Sequence, residues 1–122
     1  MQKSIKIISW IARIIAAIIM LQTLFFKFSA SPESVYIFSK LGMEPVGRIG
    51  TGIGELIASV LLLIPFTCWM GAAIGIGLMS GAIFFHLTTL GIEVMDDSGQ
   101  LFFYALAVLI CCVTVILIHK KE

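Results

Sequence analysis

The chain has 122 residues, 60% of them hydrophobic and only 12% charged, with a mean hydropathy of +1.11, far more apolar than the roughly half-apolar composition of a soluble domain. It reads as a single integral membrane domain over residues 1–122, with room for about four spans of roughly 20 residues and none for a separate soluble domain. A net charge of +1 with scattered basic residues excludes the basic stripe of a nucleic-acid binder, and Cys68, Cys111 and Cys112, lacking CxxC spacing, indicate neither a disulfide framework nor a metal site.

The first predicted span covers about Ile5 to Phe28 and closes on Lys27 and the polar SASPES. Lys3 and Lys6 ahead of an apolar run also suit a secretory leader. The run outlasts a leader's core, however, and Phe28 would occupy a small-residue position of any cleavage site after Ala30, so this is read as a retained helix. In SPESVYIFSKLG, Ser31 can cap a short helix, Pro32 suits its first position and Gly42 can end it. Val35, Ile37, Phe38 and Leu41 make that helix partly amphipathic, lying at the membrane surface or folded over the bundle.

The second span runs from about Pro45 to Ile64 and ends at the turn-like PFT. The third, about Trp69 to Leu90, carries Gly71 with Gly75 and Gly77 with Gly81, two pairs four apart that let neighbouring backbones approach. GIEVMDDSGQ leads into the fourth, about Leu101 to Ile118. The fold class expected is all-α: a four-transmembrane-helix bundle with a short amphipathic helix between the first and second spans. Four crossings put Lys3, Lys6, Lys120 and Lys121 on one side and Glu93, Asp96 and Asp97 on the other, so positive-inside reasoning makes both termini cytoplasmic.

Charged groups deep in a span are costly, which draws attention to Arg13, Glu55 and His86. Counting from Ile5, Arg13 lies about 12 Å in, while Glu55, descending from Pro45, lies about 15 Å deep. An Arg13–Glu55 ion pair is therefore permitted, either as a device that fixes helix register or as part of a ligand or proton site. Gln22, Lys27, Arg48, His86, Gln100 and Tyr104 all fall in the outer half. If they converge with Glu55, they form a polar pocket opening outward between helices. For Lys27 alone, snorkelling to headgroups is the competing explanation, and for Tyr104 the aromatic belt. His86 suits proton exchange or a hydrogen-bonded core position. It has no second histidine or cysteine at helical spacing, so no metal or haem site is expected.

An arginine in the first span, the lysine in LQTLFFKF, the glutamate in GIGELIASVLLLIP and the histidine in GAIFFHLT together resemble the DoxX-like membrane proteins, from about Arg13 to Tyr104. The resemblance implies a four-helix protein of the bacterial inner membrane. Relatives in the wider superfamily include a subunit associated with thiosulfate oxidation coupled to quinone, and components of oxidative-stress or thiol redox systems. It carries over Arg13, Lys27, Glu55 and His86 without assigning them roles; the absence of paired cysteines departs from a dithiol mechanism.

The function expected is an accessory or ligand-binding component of a membrane redox system, holding a quinone-like or other small amphiphile. Arg13, Gln22, Lys27, Arg48, Glu55, His86 and Tyr104 are its candidate ligand-binding residues. No cofactor is encoded and no stand-alone catalytic motif is present, so an enzymatic role would be that of an oxidoreductase subunit served by a redox partner protein. The alternatives are transport or binding of a small solute, proton or lipid without redox chemistry, and a structural subunit. Glycine-rich helix faces suit a homo-oligomer as well.

Overall fold

In hydrocarbon every backbone N–H and C=O must be satisfied within the chain, so long apolar segments become helices. The computed structural model describes residues 3–91 and 99–120, Glu33 by its backbone alone. Its long helices are α1 (Lys3–Phe28), α3 (Val46–Leu63), α4 (Cys68–Phe85) and α5 (Gln100–Lys120), with the short α2 (Pro32–Lys40) between α1 and α3. A π-helical turn, His86–Leu90, continues α4. These four long helices are long and apolar enough to cross a membrane, as the sequence predicts. The basic residue Lys121 and the acidic residues Glu93, Asp96 and Asp97 lie outside the described residues, as does most of the connection that carries the acidic group.

The short helix starts and stops where its sequence signals fall. The Ser31 hydroxyl accepts from the Ser34 N–H at 3.3 Å, and Pro32 opens the helix. Gly42, at φ +73°, takes the left-handed conformation that turns the chain toward α3. Ser34 and Phe38 are buried, so α2 folds over the bundle with its apolar side inward.

The spanning helices form a square in which α1 and α4 each pack against α3 and α5. Between apolar helices in lipid there is no hydrophobic driving force, and close association depends on small residues and on polar contacts. The core is built accordingly, from Ala12, Ala16 and Met20 of α1, Ala58 and Leu62 of α3, Ala72 of α4, and Ala105, Val108 and Cys112 of α5. Large side chains such as Ile8, Ile18, Leu56, Ile57 and Ile110 face outward.

Of the two glycine pairs in α4, one packs as expected and the other does not. A Cβ on Gly71 would stand 2.6 Å from the Leu62 nitrogen and 2.7 Å from the Ala58 oxygen, so α4 rests there directly on the backbone of α3. A Cβ on Gly75 would stand 2.7 Å from Cys112 Sγ of α5. Around Gly77 and Gly81 a Cβ would meet nothing within 4 Å. Those two glycines border an interhelical cavity instead.

The contrast sets a test. Gly71→Ala forces backbone apart and should destabilise the bundle by about 1–3 kcal/mol. Gly77→Ala should leave stability unchanged or raise it by up to about 1 kcal/mol through helix propensity. Thermal unfolding of both variants in detergent, followed by circular dichroism, checks this; equal melting temperatures would contradict the packing described.

Candidate functional site

One face of α1 turns inward along its length, from Ala12 and Arg13 through Ala16 and Met20 to the half-buried Thr23 and Lys27, residues three or four apart. The facing helix α3 runs the other way and buries Arg48, Gly52, Glu55, Ser59 and Leu62. Gly52 leaves room for the ring of Phe28, which a Cβ there would meet at 2.6 Å, and so admits the end of α1 against α3.

The antiparallel register brings Lys27 and Thr23 to the level of Glu55. Lys27 Nζ lies 2.7 Å from Glu55 Oε1, with the lysine side chain 16% exposed and the glutamate 2%. The Thr23 hydroxyl lies 2.7 Å from Glu55 Oε2 and 3.0 Å from the Met20 carbonyl. It has one proton, and the nearer, charged acceptor takes it. The ion contact at Oε1 is not aligned as a hydrogen bond, leaving that oxygen without a hydrogen-bond partner among the described residues.

The Arg13–Glu55 pair permitted by depth counting does not form. Arg13 Nε donates to the Leu62 carbonyl at 2.5 Å, almost two turns farther along α3, and its guanidinium covers Trp10 with Cζ 3.6 Å from the ring centroid. The reason is length. With 26 residues α1 is about 39 Å long and α3, with 18, about 27 Å. The two align at the Lys27–Arg48 end, so the surplus of α1 falls at its start, and counting depth from Ile5 places Arg13 too close to Glu55. Arg48 also faces away from Glu55: its Nε donates to Glu44 Oε1 at 2.8 Å and its Nη1 to the Lys27 carbonyl at 2.5 Å. It braces the lysine's backbone.

Beside the ion pair lies a cavity of about 520 Å³, walled by all four spanning helices and covered by Ile37, Phe38 and Leu41 of the α2 segment. Of the candidate residues it gathers Lys27, Glu55, His86 and Tyr104. Lys27 does not snorkel away; it turns inward. Arg13 and Arg48 lie outside the cavity lining, and Gln22 is exposed on the outer face of α1. Most of the wall is apolar, with Ile19, Phe26, Leu78, Phe85 and Val108 among its side chains.

His86 is buried on the π-helical turn, its ring edge-on to Phe102 at 5.6 Å. His86 Nδ1 stands 2.9 Å from the Gly91 carbonyl, which can only accept, so Nδ1 carries the proton. In the neutral ring Nε2 is then an acceptor. Tyr104 accepts from Gln100 Nε2 at 2.8 Å, which leaves its own hydroxyl proton available. The cavity wall thus includes residues bearing an ammonium, a phenol, a carboxylate and an imidazole.

Sequence reasoning missed Thr23 and Ser34, which also border the cavity, as does Thr51 on the Glu55 side of α3. A signal for Thr23 exists: it stands four residues before Lys27, on the stripe that Ala12, Ala16 and Met20 mark as inward. Among the described residues, no group of three or more His, Cys, Asp and Glu could hold a metal ion. Cys68, Cys111 and Cys112 are free thiols.

A model of the DoxX family matches residues 8–88, more than half of the chain. No curated protein and no solved structure matches.

Removing one member of a buried ion pair strands the other, at a cost of about 3–5 kcal/mol. Lys27→Met should therefore lower stability in detergent markedly, and Glu55→Gln added to it should restore most of the loss. The double-mutant cycle by thermal unfolding measures the coupling; additive losses would show that Lys27 and Glu55 do not interact.

Proposed function

We propose that this chain, which belongs to the DoxX family of membrane proteins, holds the polar head of a quinone-like amphiphile beside Lys27 and Glu55 and serves as an accessory component of a membrane redox system. The observation that carries this reading is the cavity of about 520 Å³, apolar over most of its wall, with one buried ion pair whose Glu55 Oε1 lacks a hydrogen-bond partner among the described residues. Small amphiphiles are held in such places: apolar walls take the bulk of the molecule and a few placed polar groups orient its head.

The chain's residues suit a ring that carries oxygens. Lys27 and Tyr104 can donate to a carbonyl oxygen, and His86 Nε2 or Glu55 Oε1 can accept from a hydroxyl. A bound quinone would supply two-electron, two-proton redox chemistry, and the electrons are assigned to a redox partner protein. Residues of this chain hold and exchange protons at His86 Nε2 and the Glu55 carboxylate, and exclude water through the cover of Ile37, Phe38 and Leu41. The same reading places the protein in a bacterial inner membrane with both termini cytoplasmic.

A second reading draws on the Lys27–Glu55 pair itself. Ionisable pairs within spans also mark solute and proton pathways, so transport or binding of a small solute, proton or lipid without redox chemistry is the alternative.

The test is extraction and mass spectrometry of small molecules held by the protein purified in native lipid discs. Wild type should retain a quinone in excess of bulk lipid. Lys27→Met and His86→Ala should lower retention roughly tenfold each, the equivalent of one hydrogen bond to a charged or well-placed group. Gly81→Leu, which fills the cavity from a position where a Cβ meets nothing, should abolish it while the protein stays folded. A wild type that retains no quinone, or retention that survives Gly81→Leu, would overturn the reading.

A further inference from the structure

Arg13 poses a problem that the cavity beside Glu55 does not solve. Arg13 is 3% exposed, and a guanidinium keeps its charge under all ordinary conditions. Buried charges are normally paired, yet among the described residues no carboxylate makes an ion pair with Arg13. Nε donates to the Leu62 carbonyl. The terminal nitrogen Nη2 is buried with no hydrogen-bond acceptor among the described residues.

The surroundings supply more positive charge rather than less. Arg13 borders a second cavity, of about 280 Å³, between α1, the turn joining α3 to α4, and the end of α5. Lys6, Ser9 and Trp10 share its wall, and with Arg13 they stand three, four and seven residues apart on one face of α1. Cys68 and His119 close the far side, the imidazole stacked on Trp69 at 6.1 Å between ring centroids. This end of the bundle carries Lys3 and Lys120, opposite the end that holds the ion pair.

We propose that this cavity is an anion site that takes a phosphate group. Arg13 lines it with a guanidinium whose Nη2 has no acceptor among the described residues, the Lys6 ammonium adds charge at the rim, and the Ser9 hydroxyl adds a neutral donor. Arginine's planar fork matches phosphate oxygens, and basic pockets between spanning helices suit phospholipid headgroups. The group can come from an anionic phospholipid in the adjoining leaflet or from free inorganic phosphate; the chemistry recognised is the same. An anion there gives Arg13 the counter-charge that the described residues lack. The proposal is independent of what occupies the cavity beside Lys27 and Glu55.

Native mass spectrometry of the full chain in detergent tests it, with added dioleoyl phosphatidylglycerol, dioleoyl phosphatidylcholine or inorganic phosphate as probes. Wild type should bind phosphatidylglycerol over phosphatidylcholine. Lys6→Ala, at an exposed position that the fold does not need, should weaken binding about fivefold, as one basic residue near a headgroup is worth. Arg13→Gln should weaken it further. Millimolar inorganic phosphate that displaces the lipid, or binds alone with the same dependence on Lys6, assigns the site to the free anion. If Arg13→Gln fails to fold, Lys6→Ala decides alone. Equal binding of the two lipids with no binding of phosphate, or binding unchanged in the variants, would overturn the proposal.

Discussion

A carboxylate in the middle of a membrane-spanning helix has no water to turn to, and Glu55, 1% exposed, depends on the Lys27 ammonium 2.7 Å away. That dependence sets the register of α1 on α3. With Lys27 and Thr23 on the Glu55 side chain, Arg48 falls beside the Lys27 carbonyl and Arg13 beside the Leu62 carbonyl. Each contact satisfies a polar group that hydrocarbon would otherwise penalise, and none of them survives a slip of one helical turn. The pair also decides where a polar ligand could enter the protein, because it lies on the wall of the larger cavity rather than in the packed core.

The two halves of α4 show how one helix can serve both packing and space. Near the Arg13 end Gly71 and Gly75 bring it against the backbone of α3 and the Cys112 side chain of α5. Toward His86, Gly77 and Gly81 have no neighbours within reach of a Cβ, and the helix borders open volume instead. Glycine supplies close approach in one half and vacant volume in the other. The α2 helix covers that volume, and its buried Phe38 is the side chain that makes it a cover rather than a surface helix.

Much of this was legible in the sequence, for reasons that can be stated residue by residue. Span positions follow from apolar length, and the α2 boundaries from Ser31, Pro32 and Gly42, whose preferences are local. Partner choice is not local. Counting residues gives height along the bundle normal only if both helices start at the membrane face, and α1 is about 12 Å longer than α3. Arg13 was thereby raised to the level of Glu55, and Lys27, taken alone, read as an interfacial lysine. Rotation about the helix axis was the missing coordinate: Ala12, Ala16 and Met20 mark the inward stripe that Thr23 and Lys27 continue, whereas Gln22 lies off it. The emptiness beside Gly77 and Gly81 was not legible at all, because a glycine pair four apart looks the same whether a neighbour fills the space or leaves it.

The central claim is the identity of the cation that faces Glu55. Solid-state magnetic resonance on the protein in lipid bilayers, with nitrogen label in lysine and arginine and carbon label in glutamate, measures it through the dipolar coupling to the Glu55 carboxyl carbon. The account predicts a strong coupling to the Lys27 ammonium nitrogen, lost in Lys27→Met, and none to the Arg13 guanidinium. A carboxyl carbon coupled to Arg13, or to neither residue, would contradict it.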